Sequence, residues 1–193
     1  MQVMHKDVFP TRLWFFDLEE LVPRIEEWRE QIAGWRRTDP APAGRSNRMG
    51  WNSGKGLFSH DAFKPLQDAA NTCFSHAFKD MRLSEAVRFR LEGWVNMHDR
   101  GGFNTLHVHP NVLLCGCFYL QVPEAAGPIV FRDPRPGVVL TPFAGKGVHC
   151  GGDLSVRPSA GKLIVFPNWL EHRVEPNDDN APRISIAMNA LAV

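Results

Sequence analysis

The chain has 193 residues, of which 44% are hydrophobic and 22% are charged, with a formal net charge of +1. This size and composition are typical of one soluble globular domain with a sizeable core, which we expect to span residues 1–193. A net charge near zero gives no global electrostatic reason to bind nucleic acid or a membrane, so neither is expected as a partner.

The cysteines and the N-terminal segment indicate a cytoplasmic protein. Cys73, Cys115, Cys117 and Cys150 lack the spacing of a secreted disulfide framework, so reduced thiols are the simpler interpretation. Residues 1–15 lack the basic start and long apolar core of a signal peptide. No apolar run approaches the ~20 residues that a membrane-spanning helix requires.

The first part of the chain, residues 1–84, predicts two amphipathic helices joined by a loop. Asp17 is a plausible N-cap for a helix whose apolar residues recur every three or four positions from Leu18 to Trp35. Residues 38–56 are rich in Pro, Gly, Ser and Asn, which predicts a loop. A second apolar stripe predicts a helix from Asp61 to about Met81.

From residue 85 onwards the pattern changes to that of short strands. Val87, Phe89 and Leu91 alternate with charged residues, which is typical of a strand with one wet face. Strands are predicted at 86–97, 104–109, 112–121, 128–132, 137–141, 147–156, 161–166, 171–175 and 182–191. Eight or nine short strands separated by turns indicate a sandwich or barrel, with the helices covering one sheet face.

Three histidines and one arginine stand out as candidates for chemistry. His107 and His109 are one residue apart in a predicted strand, so both imidazoles point to the same face. His172 lies near the start of another short strand. Arg183 and Ser185 share one face of the last strand, where a forked donor and a hydroxyl could bind a carboxylate. Each residue alone is more often an ordinary core or surface residue than a ligand, and the combination is more informative.

Six segments carry a resemblance to a known family, in the same order along the chain. They are Trp94-Val95-Asn96, His107-Val108-His109-Pro110, Gly116–Leu120, Asp133-Pro134-Arg135, Phe166–His172 and Arg183–Asn189. With these segments the chain resembles the Fe(II)/2-oxoglutarate-dependent dioxygenases, and more narrowly an uncharacterised subgroup of 2-oxoglutarate–iron oxygenases. The resemblance implies a double-stranded β-helix, a jelly roll of two facing sheets with a metal at one end.

The resemblance also implies the cofactors and the residues that bind them. Fe(II) is expected on His107, His109 and His172, with no catalytic residue beyond these metal ligands. The far carboxylate of the cosubstrate 2-oxoglutarate is expected on Arg183, Ser185 and Tyr119. Further candidate pocket residues are Asn96, His98, Asn104, Trp169 and Asn189.

The chain departs from the wider family at His109, where most members have Asp or Glu. Asp99 and Asp133 are alternative sources of a carboxylate, although neither has the expected spacing. We favour His109, because imidazole is also a good ligand for iron.

The activity implied by the resemblance is hydroxylation of an unidentified substrate, with release of succinate and carbon dioxide. Three alternatives stay open. The chain could be a three-histidine, cupin-like metal dioxygenase that uses no 2-oxoglutarate, or a non-catalytic jelly-roll binding module. It could also be an assembly protein that uses the Trp28 and Trp35 helix as an interface. That helix or an edge strand could support a homodimer.

Overall fold

The architecture is a curled antiparallel sheet with two helices on its outer face. A computed structural model describes residues 3–41, 46–83, 87–140 and 150–193. The helices are α1 (Ile25–Thr38) and α2 (Lys64–Asp80). The strands are β1 (Trp14–Asp17), β2 (Asn47–Asn52), β3 (Phe89–His107), β4 (Leu114–Gln121), β5 (Ile129–Phe131), β6 (Leu154–Val156), β7 (Lys162–Pro167), β8 (His172–Val174) and β9 (Arg183–Ala192). Short 3-10 helices lie at Glu19–Arg24, Leu57–Ser59, Asp61–Phe63 and Val138–Leu140.

The nine strands of the described residues belong to one sheet, in the order β1-β7-β4-β9-β3-β8-β5-β6, with β2 paired to β3. The 19-residue strand β3 connects its two halves. Its first part, Phe89–His98, pairs with β9, and its last part, Asn104–His107, pairs with β8. Gly101 lies between these parts with φ of 81°, a conformation that glycine adopts at little cost. β3 therefore carries the sheet around a corner.

Strand alternation gives the curled sheet two separate cores. On the outer face, Val95, Phe118, Leu163 and Ile186 pack with Trp28, Ile32, Leu66 and Phe74 of the two helices. On the inner face, side chains of β5 pack against those of β4 and β7, in a cluster formed by Cys115, Tyr119, Ile129, Phe131, Ile164, Phe166 and Leu170. Contact between such distant strands requires the sheet to close on itself. The predicted fold class, mainly β in a jelly roll with two helices on one sheet face, is confirmed.

Gly116 explains how closely α2 approaches the sheet. A Cβ atom at this position would lie 2.8 Å from Cζ of Phe74, closer than real Cβ contacts. The small residue therefore lets the buried Phe74 ring lie directly on β4. This contact fixes the helix against the strand whose opposite face carries Cys115 and Tyr119.

The prediction that residues 1–84 form only helices and a loop is wrong at two strands. Asp17 ends β1, where its carboxylate accepts a hydrogen bond from Nζ of Lys162 on β7 instead of capping a helix. β2 lies inside the predicted loop 38–56. Its polar residues concealed the strand, because Asn47 and Asn52 are buried and their amides are hydrogen-bonded within the sheet.

The helix from Asp61 to about Met81 and most of the later strands are where the pattern predicts them. Two predicted strands, 86–97 and 104–109, overlap the continuous β3, which runs from Phe89 to His107, so that His109 lies two residues beyond the strand. Residue 86 lies outside the described residues. The predicted strand 137–141 is wrong, because Val138–Leu140 form a 3-10 helix and Leu140 is 82% exposed. Of the predicted strand 147–156, residues 154–156 are a strand and residues 147–149 lie outside the described residues. Within the described ranges, no helix has the length and hydropathy needed to cross a membrane.

The tryptophans of α1 are packing residues. Trp28 is fully buried, stacks on Phe63 with ring centroids 5.3 Å apart, and donates from Nε1 to the carbonyl oxygen of Ala62 at 2.9 Å. Trp35 is half-buried against His60, at 4.5 Å between centroids, and against Phe63. Trp28 is therefore not accessible to a partner, which argues against the assembly protein that uses this helix as its interface.

Replacing Trp28 by alanine should lower the free energy of unfolding by about 3–5 kcal/mol, because a large buried ring leaves a cavity in the outer core. Urea unfolding followed by circular dichroism measures the change. Trp169→Ala is the matched control, since Trp169 is 52% exposed and its loss should cost less than about 1 kcal/mol. Equal losses for the two variants would contradict the assignment of Trp28 to the core.

Candidate active site

Three histidines converge where β3 ends and β8 begins. His107 is the last residue of β3 and pairs in register with His172, the first residue of β8. His109 follows two residues later, before the turn at Pro110 and Asn111. One ring nitrogen of each histidine lies within 4.8 Å of the others, and the ring centroids are 4.3–5.2 Å apart. The structure thus brings together the three histidines that the sequence predicts as metal ligands.

Each of the three rings is held by a hydrogen bond at Nδ1. His107 donates to the carbonyl oxygen of Thr105 at 2.7 Å, and His172 donates to that of Leu170 at 2.9 Å. His109 donates to Oδ1 of Asn189 at 2.7 Å. A proton fixed on Nδ1 leaves the lone pair on Nε2, so that each imidazole is oriented as a metal ligand.

Burial keeps these imidazoles uncharged. It lowers the pKa of all three histidines, and the pKa of His172 falls to about 3, with the neighbouring His107 acting in the same direction. A cluster of neutral imidazoles, each with an unprotonated Nε2, is ready to accept a metal cation. Imidazole nitrogens suit Fe(II) as well as other divalent transition metals, so the donors present are compatible with iron.

Neither alternative carboxylate belongs to the histidine cluster. Asp99 pairs with Arg36 of α1, and Asp133 accepts from Nε and Nη2 of Arg135 at 3.0 and 2.7 Å. Both carboxylates are thus already paired with arginine side chains. The metal-ligating group that the described residues form contains histidines alone.

A row of polar side chains leads from the histidines along the inner face of β9. Strand alternation places Arg183, Ser185, Ala187 and Asn189 on this face. Register sets His98, Asn96 and Trp94 of β3 opposite the first three, and Tyr119, Cys117 and Cys115 of β4 opposite the last three. Asn189 contacts His109, so the row runs from the histidine cluster at one end to Arg183 at the other.

Arg183 is buried without an acidic partner. Its side chain is only 2% exposed, and Nη1 donates to the carbonyl oxygens of Gly127 and Glu175 at 3.0 and 3.3 Å. Nη2 donates to Nδ1 of His98 at 2.8 Å, and Nε has no hydrogen-bond partner. No carboxylate of the described residues forms an ion pair with it. Desolvation lowers the pKa of this guanidinium, which measures the cost of burying an unpaired cation.

Tyr119 adds a second unpaired donor to the same region. Its hydroxyl is buried and has no partner in hydrogen-bonding geometry, and burial raises its pKa well above the usual value. Arg183 opposes that rise through its charge, so the two groups are close. Cys117 lies beside the Tyr119 hydroxyl and Ser185, and burial raises the pKa of its thiol. A buried cation without an anion and with a free Nε, together with a buried hydroxyl that lacks an acceptor, forms a site that an anionic carboxylate would satisfy.

The other predicted pocket residues divide into two groups. Asn96, His98, Asn104 and Asn189 are all buried on β3 or β9. Asn96 accepts from Nδ2 of Asn52, and Asn104 donates to Oγ of Ser46. Trp169 is different, because it is 52% exposed on the turn between β7 and β8.

Trp94 is not among the predicted pocket residues, although the structure places it beside the histidine cluster. Its indole ring lies nearly parallel to His109, with centroids 6.0 Å apart, and Nζ of Lys55 lies 5.9 Å from the indole centroid. The signal was available in the sequence, since Trp94 shares strand parity with Asn96 and His98. Lys55 could not be found in this way, because it lies outside any strand.

The comparison with protein families matches residues 92–189 to the family described as "Putative 2OG-Fe(II) oxygenase". The matched segment contains all three histidines, Tyr119, Arg183 and Ser185. The chain belongs to this family. It is therefore an iron- and 2-oxoglutarate-dependent dioxygenase, an oxidoreductase whose cofactors are Fe(II) and 2-oxoglutarate, as the sequence motifs predict. No curated protein sequence matches the chain.

Solved structures share the fold at low sequence identity. A prolyl-4-hydroxylase from Pseudomonas putida has a TM-score of 0.66 and 15% identity, covering 95% of this chain and 94% of that one. A prolyl hydroxylase from Trichoplax adhaerens, in complex with a hypoxia inducible factor peptide, has a TM-score of 0.65 and 12% identity, covering 93% of this chain and 83% of that one. HygX from Streptomyces hygroscopicus, with nickel and 2-oxoglutarate bound, has a TM-score of 0.61 and 13% identity, covering 95% of this chain and 84% of that one. At these identities the likeness shows the fold alone.

Replacing Asn189 by alanine should weaken metal binding by about 10- to 100-fold, because His109 loses the acceptor that fixes its ring. Anaerobic titration with Fe(II) or Co(II) measures the affinity. Asn52→Ala is the matched control, since this buried amide bonds to Asn96 and not to a histidine. Loss of affinity in the control to the same extent would show that Asn189 acts only through general stability.

Proposed function

We propose that Fe(II) is held by His107, His109 and His172, and that Arg183, Ser185 and Tyr119 bind the far carboxylate of 2-oxoglutarate. The observation that carries this proposal is the buried guanidinium of Arg183, which has no carboxylate partner among the described side chains. The row of β9 side chains connects this cation to the histidine cluster. A dicarboxylate whose keto-acid end binds the metal supplies the missing anion at the other end.

The protein side chains act by binding, orientation and exclusion of water. When bound, iron and 2-oxoglutarate supply oxidative chemistry in which O₂ converts the keto acid to succinate and carbon dioxide and hydroxylates the substrate. Arg183 and Tyr119 fix one end of the cosubstrate through charge-assisted and neutral hydrogen bonds. Ile164 and Phe166, both buried in the inner core, line the adjacent barrel wall and exclude water from it. The three Nδ1 hydrogen bonds keep the imidazoles oriented.

The three-histidine set has a consequence for charge. With neutral ligands, the divalent metal keeps one more unit of positive charge than it would with a carboxylate in place of His109. The dianion 2-oxoglutarate compensates this charge better than a neutral cosubstrate would. An oxygenase that uses three histidines without a keto acid is the second candidate, and the presence of His109 favours it over the non-catalytic module.

Anaerobic addition of Fe(II) and then 2-oxoglutarate should produce the weak visible absorption band that the family resemblance implies for a keto acid chelated to iron. Arg183→Ala should raise the Kd for 2-oxoglutarate by about 100-fold, because the carboxylate loses a buried charged partner. His172→Ala should abolish both metal binding and the band. Unchanged 2-oxoglutarate affinity in Arg183→Ala would refute the assignment of the carboxylate pocket.

The same titration separates the alternatives. Bound iron without a band in the wild-type chain supports a three-histidine oxygenase with a different cosubstrate. A chain that binds no iron supports a jelly-roll binding module. Succinate formed from 2-oxoglutarate in air, measured by chromatography, supports the keto-acid reaction independently of any substrate.

Location and partners complete the proposal. All four cysteines are free, which supports a reducing compartment and hence the cytoplasm. The small-molecule partners are 2-oxoglutarate and a substrate that binds above the metal. A single domain over residues 1–193 and a homodimer stay predictions, and light scattering of the purified chain tests the second.

A further inference from the structure

We propose that His98 is a positioning residue for 2-oxoglutarate, because it accepts one guanidinium N–H of Arg183 without cancelling the charge. This inference rests on the proposed function of Arg183 as the ligand of the far carboxylate. It adds a residue that does not touch the metal and that determines how strongly the pocket attracts a dianion.

The position of His98 is closely constrained by the sheet. It lies on β3 directly opposite Arg183 on β9, is 1% exposed, and accepts from Nη2 at 2.8 Å. Gly50 of β2 and Gly102 of β3 border the imidazole. Cβ atoms at these glycines would lie 2.9 Å from Cδ2 and 3.0 Å from Cβ of His98. The ring therefore has little room to leave the guanidinium.

The protonation of the ring follows from the direction of the hydrogen bond. Arginine can only donate, so Nδ1 of His98 must present its lone pair and the proton must lie on Nε2. Nε2 is buried without a partner in hydrogen-bonding geometry, although the Asn104 side chain is near enough to raise the pKa of the ring. Asn104 is itself held by Oγ of Ser46. Polar side chains thus support His98 from the side opposite Arg183.

His98 is a neutral acceptor, and this neutrality decides how much positive charge Arg183 keeps for a ligand. The three acceptors of the guanidinium are two backbone carbonyls and one neutral imidazole. They accept three of the four Nη hydrogens and add no negative charge, so the full positive charge, one Nη2 hydrogen and the Nε hydrogen are left for a ligand. An aspartate at position 98 would also accept the hydrogen bond, but it would neutralise the buried cation and remove its attraction for a carboxylate.

The test compares three replacements of His98 in the iron-loaded chain, by anaerobic titration with 2-oxoglutarate. His98→Asn keeps a neutral acceptor near the position of Nδ1 and should change Kd by less than about 5-fold. His98→Leu removes the acceptor and should raise Kd by about 10-fold or more. His98→Asp differs from His98→Asn by one terminal group and adds a negative charge, so Kd should rise by about 100-fold.

A second ligand separates positioning from general stability. The probe is 2-oxopentanoate, which has the same five-carbon chain but lacks the far carboxylate. Its affinity should be equal, within about 2-fold, in the wild type and all three variants, because it does not use Arg183. His76→Asn is a matched control on α2, where the His76 ring contacts Phe16 on the opposite side of the sheet, and it should change neither affinity.

The outcomes are distinct. Equal 2-oxoglutarate affinity in His98→Asn and His98→Asp would overturn the role of charge at this position. A parallel loss of 2-oxoglutarate and 2-oxopentanoate binding would show that His98 only stabilises the fold, and would also overturn it. If the wild-type chain binds iron but not 2-oxoglutarate, the proposed function fails and takes the inference with it. If the wild type binds 2-oxoglutarate and every variant binds it equally, the inference alone fails.

Discussion

The buried charge of Arg183 is the constraint on which the inner half of this protein depends. A guanidinium withdrawn from water needs acceptors for its hydrogens and an anion for its charge, and the described part of the chain supplies only acceptors. At the far end of the same β9 face, three neutral histidines present nitrogen lone pairs without a carboxylate among them. Both ends of the site therefore lack negative charge. A dianion bound together with a divalent metal completes the electrostatics at both ends at once.

The two faces of the sheet divide stability from chemistry. The outer face packs Trp28, Phe74 and other large apolar side chains of the helices against the strands. The inner face carries the buried asparagines, histidines and arginine, whose hydrogen bonds run between strands. Because alternate residues of β3, β4 and β9 serve the two faces, the outer core fixes the register that places the inner residues. By packing on the outer face, α1 and α2 thus help indirectly to hold the inner side chains in place.

The motifs with a fixed spacing were predictable from the sequence. Alternation placed His107 with His109 and Arg183 with Ser185, and the family resemblance added His172 and Tyr119. β2 was missed because its buried residues are asparagines, which a hydrophobic pattern does not detect. The contact between His98 and Arg183 joins residues 85 positions apart, and only strand pairing brings them together. Sequence periodicity also cannot predict that no described carboxylate side chain lies beside Arg183, because this depends on how the strands pack in three dimensions.

The length of β3 between His98 and His107 bears on which cosubstrate the proposed pocket can hold. His98, which is hydrogen-bonded to Arg183, and His107, which belongs to the three-histidine cluster, lie on one continuous strand with Gly101 between them. The separation of nine positions between His98 and His107 along β3 therefore sets the distance between the two ends of the proposed pocket. Inserting or deleting a residue within this segment would change that distance and with it the length of dicarboxylate that the site can accommodate. With the proposed binding residues, the length of this strand segment would contribute to selecting a five-carbon keto acid, in addition to the side chains proposed to contact it.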